Sequence, residues 1–385
     1  MLEKYPLLER LHFRNARLTA GALGQVVRFL ELKPEVTQLQ IDNSGLDQDL
    51  LKFLFSELYR TGVRALTLTE AQFTPEALIS VGVQVHKYAA RALNRARAVV
   101  AEAKKRHEEE LRLEKLEEER LKELGQKPPK KPKKTKRAKD ELYLRDPHDL
   151  YPEYFRLDSL AFEFCQIGPD CATALTVFVQ KAAQHVAQIS LKGNDLGSAG
   201  LRGIAIGFEE AFKEVQWRAR RQAQKKEAPD AAQVEDSDFE CLPPDPEEAE
   251  IRKTCAQGSP DIRLQTLDLE LCNVGPDKEA LEAFGRSLNK AGNLHEISLY
   301  RNPIGDNFYT VIFGVEEQPA ITKLVPPRDI DGALIEQLAG VLRAHQKLAA
   351  EAQKRLKRLE KERKRARKQG AAADDAEHKE EEPKK

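Results

Sequence analysis

The sequence predicts an α/β solenoid, with short parallel strands lining a concave face and helices on the convex side. Three observations carry this reading. An apolar frame recurs seven times at a period of 27–30 residues. The same slot after each frame holds a small side chain, and helical apolar stripes lie between the frames. A unit that cannot bury its apolar side alone gains a core only by stacking on its neighbours, so a regular period of this length is the mark of a stacked array.

The first frame is Leu8, Leu11, Phe13 and Leu18. It returns as Val36, Leu39, Ile41, Leu46 and as Val63, Leu66, Leu68, Phe73. After a gap come Leu157, Leu160, Phe162, Ile167 and Val186, Ile189, Leu191, Leu196. After a second gap come Leu264, Leu267, Leu269, Val274 and Leu294, Ile297, Leu299, Ile304. A degenerate eighth unit starts at Ile321 and Leu324, with Pro326 where the strand's third apolar residue belongs. Alternation inside each frame marks a strand with one buried face. Eight residues after each start stand Ala16, Ser44, Ala71, Cys165, Asn194, Cys272 and Asn302. There the chain turns inward, and a small hydrogen-bonding side chain can satisfy backbone groups; the two alanines weaken this ladder at the N-terminal end. Thr19 is an N-cap candidate ahead of the stripe Leu23, Val26, Val27, Leu30, and Thr74-Pro75 opens another helix with proline at its first position.

This residue set at this period resembles leucine-rich repeats of the ribonuclease-inhibitor type, over seven units and about half the chain. The resemblance implies a horseshoe with a protein-binding concave face. It also makes Cys165 and Cys272 structural residues rather than metal ligands.

The repeats are interrupted. Units one to three occupy 1–85, a charged helical insertion with a Lys/Pro linker 86–150, and units four and five 151–212. A helix extension and acidic loop fill 213–260, and units six, seven and the degenerate unit fill 261–330. A capping and basic helix covers 331–369, followed by a tail, 370–385, that is disordered by composition. The helix from Pro75 meets no Gly or Pro between His86 and Leu124; run on to Leu124 it is about 50 residues, or about 75 Å at 1.5 Å per residue. Its far part pairs Glu102 with Arg106, Glu108 with Arg112 and Glu118 with Lys122 at i, i+4. Leu113, Leu116, Leu121 and Leu124 make only a fragment of a coiled-coil seam.

Equal numbers of basic and acidic residues, 63 each, exclude a uniformly basic nucleic-acid binder. The charges are instead segregated. Residues 127–139 hold eight basic residues and no acid, 227–250 hold ten acids and no base, and 354–368 hold ten basic residues against two acids. The first stretch also resembles a nuclear-localisation signal, which makes a nuclear location the alternative to a cytoplasmic one. The expected basic contacts are Lys130, Lys131, Lys133, Lys134, Lys136 and Arg137, then Arg355, Arg358, Arg363 and Arg365. Ser237, set among acids, is a candidate phosphosite. Charge-free runs reach only about ten residues, half of what a spanning helix needs, and the first residues do not read as a signal peptide. No phosphate loop, catalytic triad spacing, or metal or cofactor motif is present, so the chain reads as neither an enzyme nor a cofactor binder.

Strand alternation directs the third, fifth and seventh residues of each unit outward. That places Arg10, His12, Arg14, Gln40, Asp42, Glu163, Lys192, Asp268, Glu270, Glu296 and Tyr300 on the concave face. The face runs from basic through small and neutral to acidic, a pattern suited to selecting and orienting a protein partner. The reading is a non-enzymatic scaffold in a larger assembly such as the cytoskeleton or a cilium, with basic helices engaging an acidic polymer such as a microtubule. The alternatives are an RNA or ribonucleoprotein adaptor and a small-GTPase regulator. The repeats also resemble those of Ran GTPase-activating proteins, although here the acids lie in an internal loop and the last helix is basic.

Overall fold

The computed structural model describes residues 8–124, 142–144, 147–227 and 262–380. Eight strands form one open, wholly parallel sheet in chain order. They are β1 (Arg10–Arg14), β2 (Gln38–Asp42), β3 (Ala65–Thr69), β4 (Ser159–Glu163), β5 (Gln188–Ser190), β6 (Thr266–Asp268), β7 (Glu296–Ser298) and β8 (Lys323–Val325). The register pairs equivalent residues of the frames: Leu11 with Leu39, Leu39 with Leu66, Leu66 with Leu160, Leu160 with Ile189, Ile189 with Leu267, and Leu267 with Ile297. The eighth unit also forms its strand, with Leu324 opposite Ile297. Pro326 falls just past the last ladder residue, where its missing N–H costs no pairing bond.

Parallel strands need crossovers, and helices supply them. They are α1 (Ala20–Leu32), α2 (Gln48–Glu57), α3 (Pro75–Glu123), α4 (Pro147–Tyr154), α5 (Ala172–Ala182), α6 (Gly197–Glu227), α7 (Lys278–Ser287), α8 (Tyr309–Glu316) and α9 (Gly332–Glu380). Five starts are capped by side chains, the last being α9, where Asp331 accepts the Ala333 amide. At the other four, Thr19, Asp47, Thr74 and Asp277 accept from Ala22, Leu50, Ala77 and Ala280 amides, which satisfies donors that a helix start leaves orphaned. The strand residues at the fourth and sixth frame positions join Leu23, Leu51, Leu54, Leu78, Leu175, Phe178, Phe208 and Phe284 in one continuous core. Each buried Leu or Phe contributes roughly 1.5–3 kcal/mol.

The inward turn has a backbone signature that the sequence does not advertise. The residue before each ladder position is left-handed in all seven units: Asn15, Asn43, Glu70, Phe164, Gly193, Leu271 and Arg301 have φ between 43° and 73°. Only two asparagines and one glycine suit that region. The other four each carry about 1–2 kcal/mol of strain; after Phe164, Leu271 and Arg301 the next residue's side chain makes hydrogen bonds that offset it.

The helix α3 matches its expected length, 49 residues, but it is not a bare rod beyond the array. Its first half is core, with Tyr88, Ala89, Ala92 and Leu93 buried. Residues 142–144 and α4 then return along it. Leu150 closes a small second core with Ala96 and Val100, and Tyr143 stacks on His107 at 3.8 Å. Farther out, Leu113, Leu116 and Leu124 are exposed. At the opposite end α9 packs Leu334, Leu338, Val341 and Leu342 against the main core and ties its His345 and Gln346 to the carbonyls of Ile321 and Thr322. It then runs on past the sheet.

Candidate binding face of the sheet

One face of the sheet meets the helices; the other presents three rows of residues across the strands. The first row is Arg10, Gln38, Ala65, Ser159, Gln188, Thr266, Glu296 and Lys323. The second is His12, Gln40, Thr67, Ala161, Ser190, Asp268, Ser298 and Val325. A third, farther along the strands, begins Arg14, Asp42, Thr69, Glu163 and is continued by Lys192, Glu270 and Tyr300 through the backbone bonds Phe164 N–H to Lys192, Gly193 N–H to Glu270 and Leu271 N–H to Tyr300. All of these residues except Ala161 are exposed or half-buried. The outward set expected from alternation is therefore brought together on one surface.

The turn ladder holds these rows in place. Asn194 is buried; its Oδ1 accepts the amides of Cys165 (2.9 Å) and Ile167 (3.1 Å) in the preceding unit. Its Nδ2 donates to the carbonyls of Phe162 (2.7 Å) and Leu191 (2.6 Å). Asn302 does the same for Cys272, Val274, Leu269 and Leu299. The cysteines are donors in the same ladder: Cys165 Sγ–H reaches the Leu68 carbonyl at 3.3 Å and Cys272 Sγ–H that of Leu191 at 3.1 Å. Burial pushes both thiols up to about 12, so they stay protonated donors. Ser44 bonds the Asp42 carbonyl at 2.8 Å, and Ala71 contributes only burial.

The charged side chains are mostly paired across neighbouring strands. Arg10 donates to Gln38 at 2.7 Å. Asp42 receives His12 at 2.5 Å and Gln40 at 3.1 Å. Burial pushes the Asp42 carboxyl up, but hydrogen bonds from His12, Gln40 and Thr69 outweigh it and hold it below its usual range. Lys192 bridges to Glu270 at 2.9 Å; that bond raises the Lys192 ammonium despite some desolvation. Glu163 titrates high because it is desolvated and faces Asp268 and Asp42, with Lys192 offsetting only part of this. Asp268 takes a long bond from Ser190, 3.5 Å, Glu296 pairs with Lys323 of β8, and Arg301 lies over the Tyr300 ring at 5.4 Å. Lys323 stands at the third position of the degenerate eighth unit, so extending the frame would have included it. Arg14 is exposed and makes no ion pair with a described residue.

The remaining candidates divide between helix and undescribed chain. Arg355 and Arg358 are exposed on α9, and Arg363 and Arg365 lie farther along the same helix. Lys130, Lys131, Lys133, Lys134, Lys136, Arg137 and Ser237 lie outside the described residues. Among the described residues, no three His, Cys, Asp or Glu side chains converge in a way that could hold a metal ion, and no helix is long and apolar enough to cross a membrane. Sequence reasoning missed two groupings. His86 Nδ1 lies 3.0 Å from His185 Nε2 although 99 residues separate them, and a basic row runs along α3. No protein-family model matches the chain, and no curated protein matches it either.

Proposed function

We propose that the chain is a leucine-rich-repeat protein of the ribonuclease-inhibitor type, curved into a horseshoe. It acts as a non-enzymatic, cytoplasmic scaffold in an assembly such as the cytoskeleton or a cilium. The observation that carries this reading is the sheet face that the described residues leave uncovered. Its charges are unevenly spread along the strand order, with Arg10, Arg14 and Asp42 at one end and Glu163, Asp268, Glu270 and Glu296, set against Lys192 and Lys323, toward the other. A partner docked there meets a surface of preset polarity, which selects register and orientation more than it adds affinity. The basic run of α9 beginning at Lys354, exposed at Lys354, Arg355, Lys357 and Arg358, then engages an acidic polymer, for which a microtubule is the leading candidate. Pelleting with microtubules tests it: the full chain should pellet at low salt and release as salt rises, and a chain cut before Lys354 should pellet less. If neither pellets at low salt, the cytoskeletal reading fails.

A further inference from the structure

A second cationic surface lies on α3, away from both the sheet face and α9. From residue 77 to residue 101 the helix carries Lys87, Arg91, Arg95 and Arg97 and no acid. Lys87, Arg91 and Arg95 follow one another at i, i+4 and i+8, so they stand on one side of the helix about 6 Å apart. All three are exposed, and none makes an ion pair with a described residue. Several other cations of the helical layer are already paired. Arg60 is taken by Glu57 and Glu31, Arg106 by Glu102, Lys181 and Arg218 by Glu214, and Arg202 by Asp277 and Glu279.

The row is also held in place. The Arg91 guanidinium lies 4.7 Å from the centre of the Tyr59 ring, and that of Arg95 lies 5.2 Å from the centre of Tyr154. Tyr59 is fixed by Arg60, whose Nε donates to its hydroxyl at 2.9 Å. Tyr154 is fixed because its carbonyl accepts the Tyr88 hydroxyl at 3.3 Å. A guanidinium resting on a ring keeps the N–H edge that forks onto a carboxylate, and it loses less side-chain entropy on binding.

We propose that Lys87, Arg91 and Arg95 form a docking ridge for an acidic helix of a partner protein, one with carboxylates at i, i+4 and i+8. The spacing decides for a helix, because two helices laid side by side share the 6 Å repeat. A separate observation disfavours single-stranded nucleic acid: the rings beside the row are already engaged by the guanidinium groups, which leaves bases no stacking platform. The ridge takes from the scaffold reading only the class of partner, an acidic protein surface.

The test uses the full chain and two alanine-based helical peptides of about 20 residues. One carries glutamates along a single face at i, i+4 and i+8; the other has the same glutamates spread round the helix. The parent should bind the one-faced peptide about tenfold more tightly than the other at low salt. The Lys87→Glu, Arg91→Glu, Arg95→Glu variant should lose that discrimination, and Arg91→Lys with Arg95→Lys should keep part of it. An unchanged thermal midpoint shows that the variants fold. The α9 variant Arg355→Glu, Arg358→Glu should still discriminate, which separates this ridge from the microtubule test above. Undiminished discrimination in the triple variant overturns the proposal. So does an RNA of about 20 nucleotides that binds the parent more tightly than the peptide and is lost in the same variant.

Discussion

Replacing Asn194 by alanine removes four buried hydrogen bonds from one side chain. The amides of Cys165 and Ile167 lose their acceptor, and the carbonyls of Phe162 and Leu191 lose their donor. An unmet buried group costs about 1–3 kcal/mol. Water entering the space left by the amide would recover part of that, so the loss should fall near ~3–5 kcal/mol. The neighbouring units supply an internal standard, because Cys165 and Cys272 occupy the same slot and donate to carbonyls through Sγ. Asn194→Cys should therefore keep the donor role, lose the acceptor role and cost about half as much. Urea unfolding followed by circular dichroism gives the stability difference. A stacked array can unfold in steps, so amide exchange at Cys165 and Ile167 should be read alongside and should speed up in both variants. A cost below about 1 kcal/mol for Asn194→Ala, with exchange unchanged, would refute the claim that this side chain closes the turn.

Burial keeps the His185 imidazole well below its ordinary range, and His86, Arg218, Arg263 and Lys181 push the same way. The unfolded chain takes up that proton near pH ~6.5 while the folded chain does not. Stability from this site is therefore complete above about pH 6.5 and falls by up to about 1.4 kcal/mol per pH unit below it. Urea midpoints at about pH 7.5 and 5.5, one unit either side of that value, should separate less in His185→Gln; equal separation in both chains would contradict this. Gly314 on α8 sits where an added Cβ would lie 2.2 Å from the Gly285 carbonyl oxygen on α7. Both sides of that contact are backbone, so Gly314→Ala should cost about 2 kcal/mol or more and visibly lower the thermal midpoint.

Strand order, register and the set of residues facing outward all follow from local periodicity. Alternation assigns the two faces, and a constant period aligns one frame on the next. Periodicity therefore puts Arg10, Gln38 and Glu296 in one row, and the sheet register has them there. The ladder slot is equally legible, since Asn194 and Asn302 recur at a fixed distance from their frames. What the sequence hides depends on pieces far apart in the chain. The left-handed turns at Phe164, Leu271 and Arg301 oppose local preference and persist because the next residue is bonded to another unit. The meeting of His86 with His185, the return of α4 along α3, and the seating of Arg91 and Arg95 on Tyr59 and Tyr154 all require the stacked core first. The partners of Arg91, Arg95 and His86 lie 32, 59 and 99 residues away. Those separations are beyond the reach of any periodicity, and packing of the stacked units brings the pairs together.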